Sequence, residues 1–472
     1  MSNVKKNFIY NIAYQILMII IPLITVPIVT RRLGATNLGI YSYTNSITNY
    51  FMLFSLLGIS NYGNREIAKN RNDKSKLSKT FWSIYAVQFI FSLIVLLVYI
   101  FYAIFFSKYR LIAVIQILFI ISTMLDINWF FFGIEKFKTT VTRNAIIKIV
   151  SLFLIIFFVN CPNDLWKYTL ILSLGTFMSQ LVLWFFVFKE INFISLKQIS
   201  IKEHINGIII LFIPVISYSI YKLMDKIMIG MFTDVSNVAF YESAEKIINV
   251  PTLIVAALGT VMMPRISNLI SNNNRADAKK YFDASIEFVL FFSIPVVVGL
   301  ILVGFDLCKI YLGNSFTKSG QLLQLLSITV LFVSIANVVR TQYLIPMSKD
   351  KTYIISTVLG AVINFILNII FIQLIGVSGA CIGTIVAELV VMLYQIISTR
   401  KEIDYTKYFH KVLIFSMKSF IMAIVIIILR NCNLFKNDIV NLIFVVTFSG
   451  GVYLLLNYKY VFSSFLSLVK KQ

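Results

Sequence analysis

Residues 81–106 read FWSIYAVQFIFSLIVLLVYIFYAIFF, an uninterrupted run without a charged side chain. A helix needs about 20 consecutive apolar residues to cross the hydrocarbon core of a bilayer. It can cross because it satisfies its own backbone hydrogen bonds. Similar stretches recur along the chain and predict an all-α polytopic membrane protein with about 14 spans, at 8–30, 37–60, 81–106, 109–133, 141–160, 166–188, 207–232, 236–264, 283–304, 321–345, 353–374, 375–398, 412–430 and 438–458.

The composition agrees with a chain that lies mostly in lipid. Of 472 residues, 59% are hydrophobic and 13% are charged, and the mean hydropathy is +0.86. Soluble domains average about 45–50% apolar and about 25% charged residues. This balance favours transport over solution chemistry.

The net charge of +22 does not indicate nucleic-acid binding, because the basic residues form no single patch or stripe. They alternate by loop instead, with about three times as many Lys and Arg on one side as on the other. The richest loop is 61–80. We expect a location in a bacterial plasma membrane, and the positive-inside rule then predicts that both termini lie on its cytoplasmic side.

The loops are too short to hold a folded domain, and the longest polar run is 61–80. The sequence has no GxxxxGK[ST] motif, so ATP hydrolysis by this chain is not expected. No Cys/His cluster suggests a metal, and no catalytic constellation or cofactor motif is visible. Short loops also argue against a membrane-embedded glycan polymerase or ligase, which needs room for acceptor sugars and carboxylates.

A weak internal repeat relates the two halves of the chain. Residues 21–25 read IPLIT and 37–41 read NLGIY, while 213–217 read IPVIS and 237–241 read NVAFY. Duplicated halves are typical of many transporters. We therefore predict two six-helix bundles, 1–206 and 207–404, and an additional helix pair with a cytoplasmic tail, 405–472.

Three segments carry a family resemblance: TRRLGATNLGIY at 30–41, DKIMIG at 225–230 followed by FYESAEK at 240–246, and GVSGACIGT at 376–384. Together they resemble the Wzx-type flippases of the multidrug/oligosaccharidyl-lipid/polysaccharide exporter superfamily. The resemblance implies two six-helix bundles around a central cavity and alternating access. It also implies an undecaprenyl-pyrophosphate-linked oligosaccharide as substrate.

Charged residues inside spans are costly and usually face a cavity or a partner. In the implied arrangement, spans 1, 2, 7 and 8 border the cavity, and their charged residues form a net cationic lining suited to a pyrophosphate. This candidate substrate site comprises Arg31, Arg32, Lys222, Asp225, Lys226, Glu242, Glu245 and Lys246. A second interpretation stays open, in which Lys222–Asp225 and Glu242–Lys246 only neutralise each other across a helix turn.

Two further carboxylates lie deeper in predicted spans, Asp126 and Glu388. Either could bind the proton or cation that couples energy to transport. The alternative is a protonated carboxyl group hydrogen-bonded to a neighbouring helix, and we favour this alternative for both residues.

The sequence therefore predicts a transporter, not an enzyme, that flips a lipid-linked oligosaccharide for capsule or exopolysaccharide assembly. Its partners would be that substrate, membrane lipids, and the glycosyltransferases and polymerase of the same pathway, with no nucleic acid. An ion-coupled exporter of small amphiphiles on the same fold is the main alternative. The short loops argue against a polymerase or ligase. A scaffold for a biosynthetic complex stays open, although it would leave the cost of the charges inside the spans unexplained.

Overall fold

A computed structural model describes the backbone of residues 3–460, and the side chains of 20–460 except 196, 213, 214, 217, 218 and 220–222. Within 3–460 the chain is helical and contains no β strand, which confirms the all-α prediction. The helices are α1 (Asn3–Leu56), α2 (Ile59–Asn70), α3 (Lys74–Phe101), α4 (Arg110–Ile115), α5 (Ile117–Met124), α6 (Asn128–Gly133), α7 (Phe137–Phe158), α8 (Leu165–Val187), α9 (Ile201–Phe232), α10 (Ser236–Ser271), α11 (Arg275–Leu312), α12 (Thr317–Leu326), α13 (Thr329–Val339), α14 (Asp350–Ile375), α15 (Val377–Thr399), α16 (Thr406–Cys432) and α17 (Asp438–Leu456). Short π-helices, Tyr102–Phe106 and Arg340–Leu344, extend α3 and α13.

Ten helical segments of the described chain are long and apolar enough to cross a membrane. An eleventh results if Asn314–Leu326 and Thr329–Leu344, which are bent by 48° relative to each other, form one broken span. The helices α1 and α9 include residues outside the described set and are not in this count. The exact number of 14 spans therefore stays a prediction.

The helix α1 is two helices joined at Gly34, which has φ 73° and ψ 173°. This positive φ is accessible to glycine because it lacks a Cβ atom. The break lies between the predicted spans 8–30 and 37–60. The same device recurs at Gly376, with φ 66°, between α14 and α15.

The span predicted at 109–133 is interrupted, since it consists of α4, α5 and α6. The freed backbone carbonyls of Thr123 and Asp126 each accept a hydrogen bond from Nε2 of Gln88, at 2.7 and 2.8 Å. Non-helical backbone is tolerated at membrane depth only where protein groups satisfy it in this way. A buried glutamine on α3 thus permits the break.

The first half of the polar run 61–80 is helical, because it belongs to α2. Ile59 and Ile67 of α2 are fully buried, while Arg65 and Lys69 are exposed. Asp73 then caps α3, as its Oδ1 accepts from the backbone N–H groups of Ser75 and Lys76. An amphipathic helix therefore occupies the first half of this predicted polar loop.

The chain forms two compact units, residues 1–239 and 240–472. In the first unit, α2, α3, α6 and α8 share an aromatic-rich core centred on Phe81, Trp129 and Phe130. In the second, α11 and α16 share a core that includes Phe282, Val289 and Phe415. The helix α9 belongs to the first unit. The division into 1–206, 207–404 and 405–472, which was inferred from the internal repeat, stays a prediction.

Candidate functional site

The first motif, 30–41, forms the end of one helix, the Gly34 break and the start of the next. Arg32 leaves the helix and donates from Nη1 to the carbonyl oxygens of Ile156 and Val159, at 2.6 and 2.9 Å. These carbonyls lie at the C-terminal end of α7, where backbone acceptors have no intrahelical partner and a cation is favoured. Arg32 therefore has a structural role in tying α1 to α7, whereas the Arg31 side chain is exposed.

Asn37 in the same motif reinforces this corner. Its Nδ2 donates to the carbonyl oxygens of Leu33 and Pro162, at 3.1 and 3.0 Å. The amide thus bridges the two halves of α1 and the turn that precedes α8. Asn37 of the first motif therefore stabilises the contact between α1 and this turn.

The second half of α1 packs antiparallel to α9 along a close seam. A Cβ atom at Gly39 would overlap the carbonyl group of Val235, so the backbones meet there without an intervening side chain. Further along, the Tyr50 hydroxyl donates to the Ser219 carbonyl at 3.4 Å, and Phe54 meets Phe212 edge-on at 5.5 Å. Small residues that permit such approach are typical of packed membrane helices.

The candidate residues of α9 lie beside this seam. Asp225 is buried, at 4% exposure, and lies close enough to Tyr50 to interact with it electrostatically. Lys226 is half-buried. The Lys222 side chain lies outside the described residues, so the predicted Lys222–Asp225 pair stays untested.

The candidate residues of α10 belong to the second unit. Lys246 Nζ lies 2.7 Å from Glu242 Oε1, one helical turn away, so the predicted neutralising pair is formed. The lysine is 50% exposed and the glutamate 15%. Glu245 is half-buried beside them.

The second and third motifs meet in this unit. The hydroxyls of Tyr241, in FYESAEK, and Thr384, in GVSGACIGT, lie 2.9 Å apart. The third motif has a packing role as well, because a Cβ atom at Gly379 would overlap the backbone of Phe371 in α14. Both motifs therefore build the α10–α14–α15 contact.

Tyr41 and Tyr241 hold corresponding positions in the two predicted repeats. Tyr41 meets Tyr168 of α8 edge-on, with ring centroids 5.0 Å apart, and Tyr241 contacts Thr384 of α15. The helices α8 and α15 are the sixth and twelfth predicted spans. Each tyrosine thus contacts the last span of its own predicted bundle, and the duplication itself stays a prediction.

Asp126 is half-buried in a polar cluster that the sequence did not reveal. Its Oδ1 accepts from the backbone N–H and the Nδ2 of Asn128, at 2.9 and 2.7 Å. Arg143, which is buried, donates from Nη2 to Oδ1 of Asn128 and of Asn144, at 3.0 and 2.6 Å. The carboxylate of Asp126 thus accepts hydrogen bonds from a residue two positions along the chain, and its role in ion coupling stays a prediction.

Arg143 lies near the start of the predicted span 141–160, and the sequence did not predict that it is buried. A lysine or arginine this close to a span end usually extends to the head groups. One signal of a buried polar contact was present in the sequence, since the polar residues Thr140 and Asn144 lie close to Arg143. Glu388 is buried, at 8% exposure, in α15.

The described residues contain no group of three or more His, Cys, Asp or Glu side chains that could hold a metal ion. Among the described candidate residues, the cations Arg31 and Lys226 of the first unit and Lys246 of the second have side chains that can bind an anion. The structure groups these residues by unit: Arg31, Arg32, Asp225 and Lys226 in the first, and Glu242, Glu245 and Lys246 in the second.

The sequence and the fold of this chain are similar to those of known membrane transporters. A relative named putative O-antigen transporter from Shigella dysenteriae is 24% identical over 405 residues, covering 83% of this chain and 99% of the relative. The solved lipid II flippase MurJ, in an inward closed conformation, has a TM-score of 0.79 and covers 96% of this chain and 100% of that one, at 17% identity. An inward-facing multidrug resistance MATE family transporter of the MOP superfamily has a TM-score of 0.59 at 13% identity, covering 82% of this chain and 99% of that one.

At these identities, the two structural likenesses concern the fold. Two family models also match the chain. The MatE model matches residues 211–370. The model described as polysaccharide biosynthesis protein matches residues 4–270, more than half of the sequence. The chain therefore belongs to the polysaccharide biosynthesis protein family, a family of membrane transporters.

Proposed function

We propose that this protein is a flippase for a lipid-linked glycan. Its substrate would be an undecaprenyl-pyrophosphate-linked oligosaccharide repeat unit, moved from the cytoplasmic to the outer leaflet for capsule or exopolysaccharide biosynthesis. The observation that carries the proposal is the match along 99% of the length of a relative named putative O-antigen transporter.

The contacts and the exposure of the described cations guide which residues we assign to the anionic head group. Arg32 already serves two backbone carbonyls, and Lys246 is paired with Glu242. Our first candidates for pyrophosphate contact are Arg31, whose side chain is exposed at the end of its helix, and Lys226, which is half-buried in α9, because a bound anion could reach both side chains. A guanidinium group offers a planar fork to phosphate oxygens, and an ammonium group a point charge.

We retain Lys222, Asp225 and Glu245 in the proposed site. Asp225 is buried next to the α1–α9 seam, so its charge would bias any rearrangement of that seam. Transport would proceed by alternating access of the two predicted repeats. Asp126 and Glu388 are candidates for ion coupling, although the hydrogen bonds of Asp126 favour a structural role.

The test is flipping in proteoliposomes. The protein is reconstituted with an undecaprenyl-pyrophosphate oligosaccharide, and exposure of the sugar to an added lectin is followed over time. We expect protein-dependent exposure, and none when the same oligosaccharide is carried on a lipid without pyrophosphate. Equal rates for the two lipids would remove the cationic site from the mechanism, and no exposure of either would contradict the function.

A second candidate function is export of small amphiphiles, favoured by the MatE match over residues 211–370. It predicts uptake of an amphiphilic cation into inside-out vesicles, driven by a proton or sodium gradient. Uptake without any glycan flipping would support this candidate and return Arg31 and Lys226 to structural roles.

A further inference from the structure

A polar cleft lies between the additional helix pair and α11, in the second unit. It has a volume of about 230 Å³ and is lined from three helices, α11, α16 and α17, and from the α16–α17 turn. By the charge pattern of the loops, this end of the helices faces the outside. None of its lining residues belongs to the candidate head-group site described above.

The walls of the cleft carry both signs of charge. Arg430 Nη2 lies 2.6 Å from Asp306 Oδ2, and its Nη1 donates to the Leu302 carbonyl. Lys309 and Asp438 also line the cleft, and neither makes an ion pair with any other residue that the structure describes. The four charges sum to zero, with donors and acceptors side by side.

The cleft also offers an amide. Asn441 donates from Nδ2 to Oδ1 of Asn433 at 3.1 Å, while its own Oδ1 is buried and accepts no hydrogen bond from the described chain. An unsatisfied buried acceptor is unfavourable. Rotation of this half-buried side chain toward the cleft would let Oδ1 accept from a ligand hydroxyl and remove that penalty. The apolar side chains of Val303, Leu442 and Val445 complete the lining.

These features select a ligand class. A phosphate would meet the carboxylates of Asp306 and Asp438, and a cation would meet Lys309 and Arg430, so neither ion suits the cleft. A sugar ring is neutral, and each of its hydroxyls can donate and accept, while its C–H face suits an apolar wall. The volume fits one ring and not a whole oligosaccharide.

We propose that this cleft is a saccharide-binding subsite that holds one sugar ring of the glycan on the outward side of α11, α16 and α17. The inference rests on the proposed function, because it identifies where the sugar portion of that substrate would bind. It also assigns the additional helix pair a direct part in recognition.

The experiment measures sugar binding to the full chain in lipid nanodiscs by saturation-transfer NMR, with glucose, galactose, N-acetylglucosamine and rhamnose as probes. We expect at least one to bind, and its Kd to rise about tenfold or more in Asn441→Leu and in Asp438→Asn, as for loss of one hydrogen bond to a polar or charged group. Both side chains are at the surface of the cleft, so the fold should tolerate the changes. Asp234→Asn, at an exposed carboxylate in the other unit, is the matched control and should leave Kd unchanged.

Three results would overturn the subsite: no binding of any probe, binding unaffected by both cleft variants, or displacement of the sugar by inorganic pyrophosphate. The flipping assay separates this failure from failure of the proposed function. Normal glycan flipping without sugar binding at the cleft rejects the subsite alone. Sugar binding that the cleft variants weaken, in a protein that flips no glycan, rejects the flippase and leaves a saccharide site.

Discussion

Lys407 Nζ lies 2.6 Å from Asp283 Oδ2, and this ion pair sets the register between α16 and α11. One turn further along both helices, Lys411 Nζ lies 3.3 Å from Glu287 Oε2. The Tyr408 hydroxyl donates to the other oxygen of Asp283 at 2.5 Å. The additional helix pair is thus held on α11 by a parallel ladder of charged contacts.

The ladder predicts unequal effects of removing its two carboxylates. Asp283→Ala removes the partner of both Lys407 and Tyr408 and should destabilise the protein by about 1–3 kcal/mol. Glu287→Ala removes one partly exposed pair, worth about 0–1 kcal/mol. Thermal unfolding in detergent at one scan rate should place Asp283→Ala clearly below Glu287→Ala, and the reverse order would contradict the ladder.

The two neighbouring arginines of the first motif should behave differently. Arg32→Ala leaves the carbonyls of Ile156 and Val159 without their donor, so we expect a lower unfolding temperature and less protein in the membrane. Arg31→Ala should lower the unfolding temperature less than Arg32→Ala, because the Arg31 side chain is exposed, and should lower glycan flux by about tenfold, as for loss of one charge-assisted contact. Flux per folded molecule, with the melting curve of each variant, checks both expectations.

Gly39 is the point of closest approach between α1 and the turn after α9. Gly39→Ala should destabilise the protein by about 1–3 kcal/mol, because the new methyl group overpacks against the Val235 carbonyl. Gly450→Ala in α17 is the matched control, since a Cβ atom there meets nothing within 4 Å. Equal melting temperatures for the two variants would show that the seam relaxes to accept the methyl group.

Stability should depend on pH through His204, which precedes the predicted span 207–232. Its Nδ1 lies 2.8 Å from the Tyr62 hydroxyl, and burial lowers its pKa below the ordinary 6.5, with Glu203 and Glu66 opposing. The unfolded chain therefore binds this proton more readily, so the contribution of His204 is complete above pH 6.5 and is lost as the pH falls toward the folded pKa.

We expect the unfolding temperature to fall between about pH 7 and pH 5, and His204→Gln to reduce that fall. His410→Gln changes the other histidine of the chain and should retain the wild-type dependence. A His204→Gln variant with unaltered pH dependence would show that other groups dominate acid destabilisation.

Sequence reasoning predicted the fold class and the family because both depend on long apolar runs and local motifs. It also predicted the Glu242–Lys246 pair, since residues four apart on a helix are neighbours. It did not predict the partners of Arg32, because Ile156 and Val159 are far away in the chain. Such contacts follow from helix packing, which periodicity alone does not determine.

The interruptions within spans were missed for a related reason. The stretch 109–133 is apolar enough to be taken as one helix, and the glutamine that satisfies its broken backbone belongs to α3. Arg143 was equally hidden, because an arginine one or two turns inside a span can be buried or can extend to the head groups. Its acceptors, Asn128 and Asn144, become visible only when α6 and α7 are packed.

The complementary charges of α11 and α16 determine how a shorter form of the chain would behave. Three carboxylates of α11, at Asp283, Glu287 and Asp306, each face a cation of α16. A chain that ended before α16 would leave all three charges without these partners along one helix, some of them at the border of the lipid, which is unfavourable. The last two helices are therefore integral to the second unit, and a form of the chain without them would need a different surface on α11.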